Sequence, residues 1–429
     1  MSKFSNQPNL THSLNTPLHQ LEQRLFDQQV QIECWFRQQW REVPLLFYTS
    51  VDLRNAGFKM APVDTNLFPA GFNNLNPAFM SLYIHAMQAL MEKICPASNG
   101  GVLIIPENHT SNLFYFENIA TLQEIFSKAG YPVRIGSLLE NLSQPKQITL
   151  PSGRTLTLEP LVRQNNRLLV ENFSPCVILL NNDLAGGIPP ILMDLEQKVF
   201  PSLALGWQNR SKAKHFEQYQ AVSEQFAQQF GLDPWVISPL SQECDEVDFM
   251  TGEGEDRLVA EAEALFAAIT AKYQEYHITY PPFVVVKADA GTYGMAVMMI
   301  KDPQEIKQLN RKQRQNMSTT KGGRKVGRVL LQEGVYTFET SGANAEVAEP
   351  VVYMLGRTVL GGFYRIHANK GIDENLNAPG MNFEPLAFSD VCNYPCQEPA
   401  EVRNLYYSYG VIARLALLAA CKELQAVMV

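Results

Sequence analysis

Phe283-Val-Val-Val-Lys287-Ala-Asp-Ala-Gly291-Thr-Tyr-Gly294-Met-Ala-Val-Met-Met-Ile300 sets one lysine and two glycines between two short apolar runs. The first run is aromatic and β-branched, follows Pro281-Pro282 and is too short for a buried helix, so strand, loop, strand is the expected local structure. Lys287 ends the first strand, where an ammonium either reaches out of the sheet or meets an anion. Gly291 and Gly294 then let backbone N–H groups approach phosphate oxygens with no Cβ in the way. An ordinary hairpin loop would explain the same residues. Neither a P-loop nor a dinucleotide fingerprint is present, because the G-x-x-x-x-G-K-[ST] spacing is missing and no helix follows the second glycine. A return strand makes the loop a lid over phosphates rather than a cradle beneath them.

Downstream, an apolar strand at 329–335 runs into Gln332-Glu333-Gly334-Val335. A strand, tight turn and strand follow from Glu349 to Arg365, and then Asn375-Leu-Asn377-Ala-Pro-Gly380. In this order the segments resemble the catalytic half of the ATP-grasp ligases, most of all the version in glutathione synthetases. With Ile105-Pro-Glu-Asn-His-Thr110, Asn181-Asn-Asp183 and Gly206-Trp-Gln-Asn-Arg210 included, the whole chain resembles one bacterial type of glutamate-cysteine ligase. That resemblance implies ATP as cofactor, with Lys287, Gly291, Thr292, Tyr293 and Gly294 on its phosphates. It implies a hinge of Gln332, Glu333, Gly334 and Val335 for adenine and ribose, with Arg365 as the catalytic cation beside Lys287. Mg²⁺ would take oxygen ligands from Glu349, Asn375 and Asn377. In glutathione synthetases a Glu-x-Asn ligand pair comes later than the corresponding loop, so either Asn375-Leu-Asn377 replaces it here or an acidic residue elsewhere supplies the charge.

The 429 residues suffice for two domains with real cores, and 46% hydrophobic with 18% charged residues is a globular composition. A net charge of −8, spread along the chain, argues against a nucleic-acid surface. The basic segment 307–328 reads as a mobile loop, either solvated or closing near triphosphate. Seven scattered cysteines suit a reducing compartment better than a disulfide framework, and Cys392-Asn-Tyr-Pro-Cys396 has no second pair to make a zinc site. The polar residues 1–10 do not read as a signal peptide, and no apolar run reaches the roughly 20 residues of a membrane span. A cytoplasmic protein acting on small molecules is expected, with homo-oligomerisation left open.

Taken in order, residues 16–41 read as one amphipathic helix and 45–48 as a strand. The polar loop after it holds Arg54, Asp64 and Asn66, which Asx-turns or an amino-acid pocket would equally explain. Strand 102–105, a helix to about residue 128 and strand 133–135 suggest a parallel βαβ unit with its crevice at the strand ends. There lie Glu107, Asn108 and His109, and Asn182 and Asp183 end the strand at 176–180. Arg210 and Lys212 open a helix, where cations oppose the dipole and call for an anion. The expected fold class is α/β (α+β): an α/β substrate-binding domain over 1–250, then an ATP-grasp-like antiparallel sheet domain over 251–429.

Joining a carboxylate to an amine runs uphill in water, so ATP must first turn the carboxylate into an acyl phosphate. That chemistry needs positioning and charge neutralisation rather than a nucleophilic side chain. The resemblance implies glutamate, activated at its side-chain carboxylate, and cysteine as the amine. A glutathione synthetase, a nucleotide-binding sensor without turnover and a kinase stand as alternatives.

Overall fold

The computed structural model describes residues 17–96, 100–108, 112–291, 296–320, 323, 325–342, 344–386 and 405–428. The first amphipathic segment forms two helices, α1 (Pro17–Asp27) and α2 (Gln29–Gln39), interrupted at Gln28. Leu18, Leu21 and Leu25 recur at helical spacing and are buried. A hairpin follows, β1 (Tyr48–Asn55) and β2 (Met60–Asn66), so the expected strand starts later and runs on through Arg54. Helix α3 (Met80–Ile94) leads to β3 (Val102–Pro106), α4 (Leu113–Lys128) and β4 (Val133–Ser137), the expected parallel βαβ unit. A hairpin of β5 (Lys146–Thr149) and β6 (Thr155–Pro160), then β7 (Val162–Gln164), β8 (Arg167–Leu169), β9 (Val177–Asn181) and β10 (Lys198–Phe200), complete this region. The next elements are α5 (Lys212–Phe230), β11 (Ser241–Asp245) and α6 (Glu255–Glu275).

The two strands expected at either end of 283–300 are β12 (Val284–Ala288) and β13 (Val297–Ile300), paired antiparallel. The basic segment is not simply a loop, because α7 (Arg311–Ser318) lies within it under an Asn310/Gln313 capping box. Arg314 and Lys307 are bound there by Glu255 and Asp256 at the start of α6. Last come β14 (Arg328–Glu333), β15 (Thr340–Ser341), β16 (Glu346–Leu355), β17 (Thr358–His367), β18 (Asn382–Pro385) and α8 (Leu405–Met428). Helix α8 is apolar nearly all round and buried through residues 411–420 except for the half-buried Arg414, packing against α5, β1 and β2.

The strands form a largely parallel six-stranded sheet, β10-β9-β3-β4-β6-β5, and two antiparallel sheets, six-stranded β18-β17-β16-β1-β2 with β15 on β16, and four-stranded β11-β14-β12-β13. The sheets do not divide at residue 250. β1 pairs with β16, and β11 pairs with β14, so the front half of the chain contributes to both antiparallel sheets. Cys95 and Cys176 are joined as a disulfide between the end of α3 and the start of β9, a pairing that the reading of seven reduced cysteines did not anticipate. Cys392 and Cys396 lie outside the described residues.

Candidate active site

The two antiparallel sheets face one another across a cleft of about 270 Å³. Side chains alternate along each strand, so one face of each sheet lines it. From the first sheet come Ser50, Asp52 and Arg54 of β1, Glu349, Val351 and Tyr353 of β16, Phe363 and Arg365 of β17 and Phe383 of β18. Register places Glu349 opposite Arg365 and Val351 opposite both Phe363 and Asp52. From the second come Val285 and Lys287 of β12, Val297 and Met299 of β13 and Gln332 of β14. Lys287 and Arg365 therefore reach one cavity from opposed sheets.

Lys287 Nζ donates to Val63 O and to Gln332 Oε1, each at 2.7 Å. Burial lowers its pKa to about 8, against the pull of Asp64. Gln332 Nε2 is buried without a hydrogen-bond partner. An uncommitted donor beside an ammonium suits an incoming acceptor-rich ligand. Gly291 lines the same cleft, whereas Thr292, Tyr293 and Gly294 fall outside the described residues.

Glu333 does not offer its carboxylate to a ribose, as the hinge reading expected. The side chain is sealed from solvent and bound by Lys59 Nζ at 2.6 Å, Leu240 N at 2.9 Å and Trp235 Nε1 at 3.1 Å. Gly334 is explained by packing, since a Cβ there would lie 2.2 Å from the Phe283 ring. Val335 lines the cleft, but its carbonyl accepts from Arg54 Nη1 at 3.2 Å.

Asp52, Arg365, Glu349 and Arg54 form an alternating chain of charge. Arg365 Nη1 donates to Asp52 Oδ2 at 2.8 Å and to Glu349 Oε1, and Arg54 Nε donates to Glu349 Oε2 at 3.2 Å. Burial opposes the charge on Arg365, but Asp52 and Glu349 outweigh it and raise the guanidinium pKa. Arg54 also ties the sheet to Glu374 O at 2.6 Å, which makes it a strut of the site more than a free substrate ligand.

Glu349 was expected to hold metal, yet each of its oxygens already meets an arginine. Among the described residues no group of three or more His, Cys, Asp or Glu could hold a metal ion. Asn375 and Asn377 do line the cleft, with Asn377 N donating to Asn375 Oδ1 at 2.9 Å. These donors do not make a closed cage. They fit an ion that arrives on a polyphosphate and takes only one or two protein oxygens.

Also in the cleft, Lys212 Nζ lies 2.9 Å from Asp64 Oδ1 and 4.3 Å above the Trp207 ring. Burial would raise the Asp64 pKa, but Lys212 and Lys287 outweigh it and hold the carboxyl well below its ordinary range. Asn66 and Asp183 line the cleft too, although each folds an oxygen onto a nearby backbone N–H, Phe68 at 2.9 Å and Ala185 at 3.0 Å.

The other expected substrate ligands stand back from the cavity. Glu107 is buried behind the loop and accepts from Asp183 N at 3.1 Å, and Asn182 accepts from Leu184 N at 3.0 Å. Asn108 is exposed and away from the cavity lining, and His109 is outside the described residues. Arg210 is also removed from the substrate set, because its guanidinium is spent on Glu423 at 3.0 Å and Thr65 O at 2.6 Å. The anions called for at the start of α5 are thus the protein's own, Glu423 for Arg210 and Asp64 for Lys212.

Asp52, Tyr353 and Trp207 line the cleft and escaped the sequence reading as site residues. The signal for Asp52 was present in the alternation Ser50-x-Asp52-x-Arg54, which ending the strand at 48 concealed.

The profile of the glutamate-cysteine ligase family matches residues 22–424. A crystal structure from Methylobacillus flagellatus KT, named provisionally as a gamma-glutamylcysteine synthetase, is 52% identical over 98% of this chain and 99% of its own, with a TM-score of 0.90. A glutathione synthetase-like effector from Globodera pallida is 11% identical over 82% of each chain, with a TM-score of 0.37. D-alanyl-alanine synthetase A from Vibrio cholerae O1 is 9% identical over 76% of this chain and 82% of its own, with a TM-score of 0.34. Neither distant likeness carries weight here. The curated proteins contain no match.

Proposed function

This chain belongs to the glutamate-cysteine ligase family and is a ligase that forms the amide bond between glutamate and cysteine with ATP; from that premise we propose that the reaction runs in the cleft between the antiparallel sheets, through a γ-glutamyl phosphate. The observation that supports this reading is the convergence of Lys287 and Arg365 on one cavity from facing sheets. Lys287 binds the polyphosphate, replacing its contacts to Val63 O and Gln332 with phosphate oxygens. Gln332 and the main chain at Val335 meet the base. Arg365 faces the transferring phosphoryl group and the acyl phosphate, where a fixed cation stabilises charge as it develops. Asp64 and Lys212 present opposite charges at 2.9 Å, a pairing suited to the ammonium and carboxylate of an amino acid. Asn375 and Asn377 would supply the protein oxygens to a magnesium ion carried by ATP, which would neutralise phosphate charge.

In this reading the two parts of the chain divide by task. Asp64, Asp183 and Lys212, before residue 250, serve the amino acids, while Lys287 and Gln332 serve the nucleotide and Arg365 the phosphoryl group in transfer. Among the described residues no helix is long and apolar enough to cross a membrane. The proposed setting is the cytoplasm, where ATP and reduced cysteine are at hand. Phosphate release measured with each substrate alone and in pairs tests the proposal. Release should require ATP, glutamate and an amine together, and glutamate with hydroxylamine should give a hydroxamate. Release that ignores glutamate would overturn it.

A further inference from the structure

Asp52 on β1 and Asp64 on β2 sit directly opposite one another across the antiparallel pair, and both line the cleft. Like charges in that position destabilise a sheet. Each carboxylate meets a different cation, Arg365 at 2.8 Å for Asp52, shared with Glu349, and Lys212 at 2.9 Å for Asp64. The register slips between Asp52 and Leu53, an irregularity of the kind that re-aims side chains beside active sites. A costly pair kept at a re-aimed position in the cavity wall calls for a task.

Resting on the ligase reading above, we propose that Asp52 is a catalytic residue, the base that takes a proton from the incoming ammonium as its nitrogen attacks the acyl phosphate. The amine of cysteine arrives protonated at neutral pH and has no lone pair until a proton leaves. The first proton passes to the Asp52 carboxylate, and the lone pair it frees forms the C–N bond. The C–O bond to phosphate then breaks, the phosphate leaves with the electron pair, and the second proton departs on it.

Position singles out Asp52 among the acids here. It touches Arg365, the cation placed at the acyl phosphate, and its side chain keeps 20% of its surface open to the cleft. Glu349, on the other side of Arg365, is 3% open and has both oxygens occupied by arginines. Asp64 is held ionised by Lys212 and Lys287. The groups around Asp52 are Arg365, Glu349, Asp64, Lys287 and Tyr353. Burial first, then Glu349 and Asp64, raise its pKa against the pull of Arg365, in the direction a proton acceptor needs.

The test is Asp52→Asn with two amines. Hydroxylamine is already uncharged at neutral pH and needs no base. With cysteine the variant should lose about 100-fold or more in kcat, the range of a general base. Hydroxamate formation from ATP, glutamate and hydroxylamine should fall far less than turnover with cysteine, which also shows that the variant is folded. Equal losses with both amines, or full activity with cysteine, would overturn the assignment. If the parental enzyme itself makes no hydroxamate, it is the acyl-phosphate reading that fails.

Discussion

Lys59 and Glu333 form an ion pair 2.6 Å long, 274 residues apart in sequence, with both side chains sealed from solvent. It joins the β1–β2 turn to the end of β14 and fixes the strand that carries Gln332. Lys59 Nζ also sits 4.2 Å over the Trp235 ring, whose Nε1 donates to Glu333. Removing one partner strands the other as a buried charge. Lys59→Met should therefore destabilise the fold by about 3–5 kcal/mol, and Lys59→Met with Glu333→Gln by less than the two single changes summed. Denaturant unfolding of the three variants measures this.

Lys287 titrates near 8 because burial disfavours its charge. Between that value and the ordinary lysine pKa of about 10.4, the folded protein binds fewer protons than the unfolded chain, so this group's contribution to stability rises with pH across that window. Nucleotide binding runs the other way, since phosphates favour the ammonium. ATP should bind with proton uptake above about pH 8 and weaken as pH rises further. Calorimetry in buffers of different ionisation enthalpy reads the uptake, which Lys287→Met should abolish.

Arg365→Met should lower kcat by hundreds-fold, about 3–4 kcal/mol by analogy with the loss of one oxyanion donor. ATP affinity should change little, because Lys287 holds the polyphosphate. A variant that loses ATP binding and turnover in equal measure would place Arg365 on the nucleotide rather than on the acyl phosphate.

Arg210 is expected to act on stability alone. Its partner Glu423 is pushed up by burial but drawn down to about 2 by Arg210 and His215. A carboxyl lowered in the folded state stabilises above its unfolded pKa, and that contribution is lost as pH falls from about 4.5 through 2. Glu423→Gln should flatten acid unfolding in this range. Arg210→Met should lower the melting temperature while KM for glutamate and cysteine stays unchanged.

Glu339 carries the opposite sign. It is fully buried, accepts from Asn55 Nδ2 at 2.8 Å and from the Tyr409 hydroxyl, and burial raises its pKa to about 7. The folded state binds more protons than the unfolded chain between about 4.5 and 7, so stability falls as pH rises through that span. Glu339→Gln should remove this slope and melt higher than the parent at pH 8.

Local pattern was enough for the two strands at either end of 283–300, for the β3-α4-β4 unit and for the strand, turn and strand from Glu349 to Arg365. Such features depend on residues near in sequence, where periodicity and turn chemistry act. Partnership between distant charges was out of reach. Arg210 read as a ligand for substrate until Glu423, 213 positions away, occupied its guanidinium. Glu333 read as a ribose ligand until Lys59 took its carboxylate. A sequence shows the sign of each charge and the face of the strand it stands on. Which opposite charge shares its space, and whether that leaves it for a substrate, is set by how β1 and β2 insert beside β16 and where α8 packs, because only that packing decides which ions lose their water together.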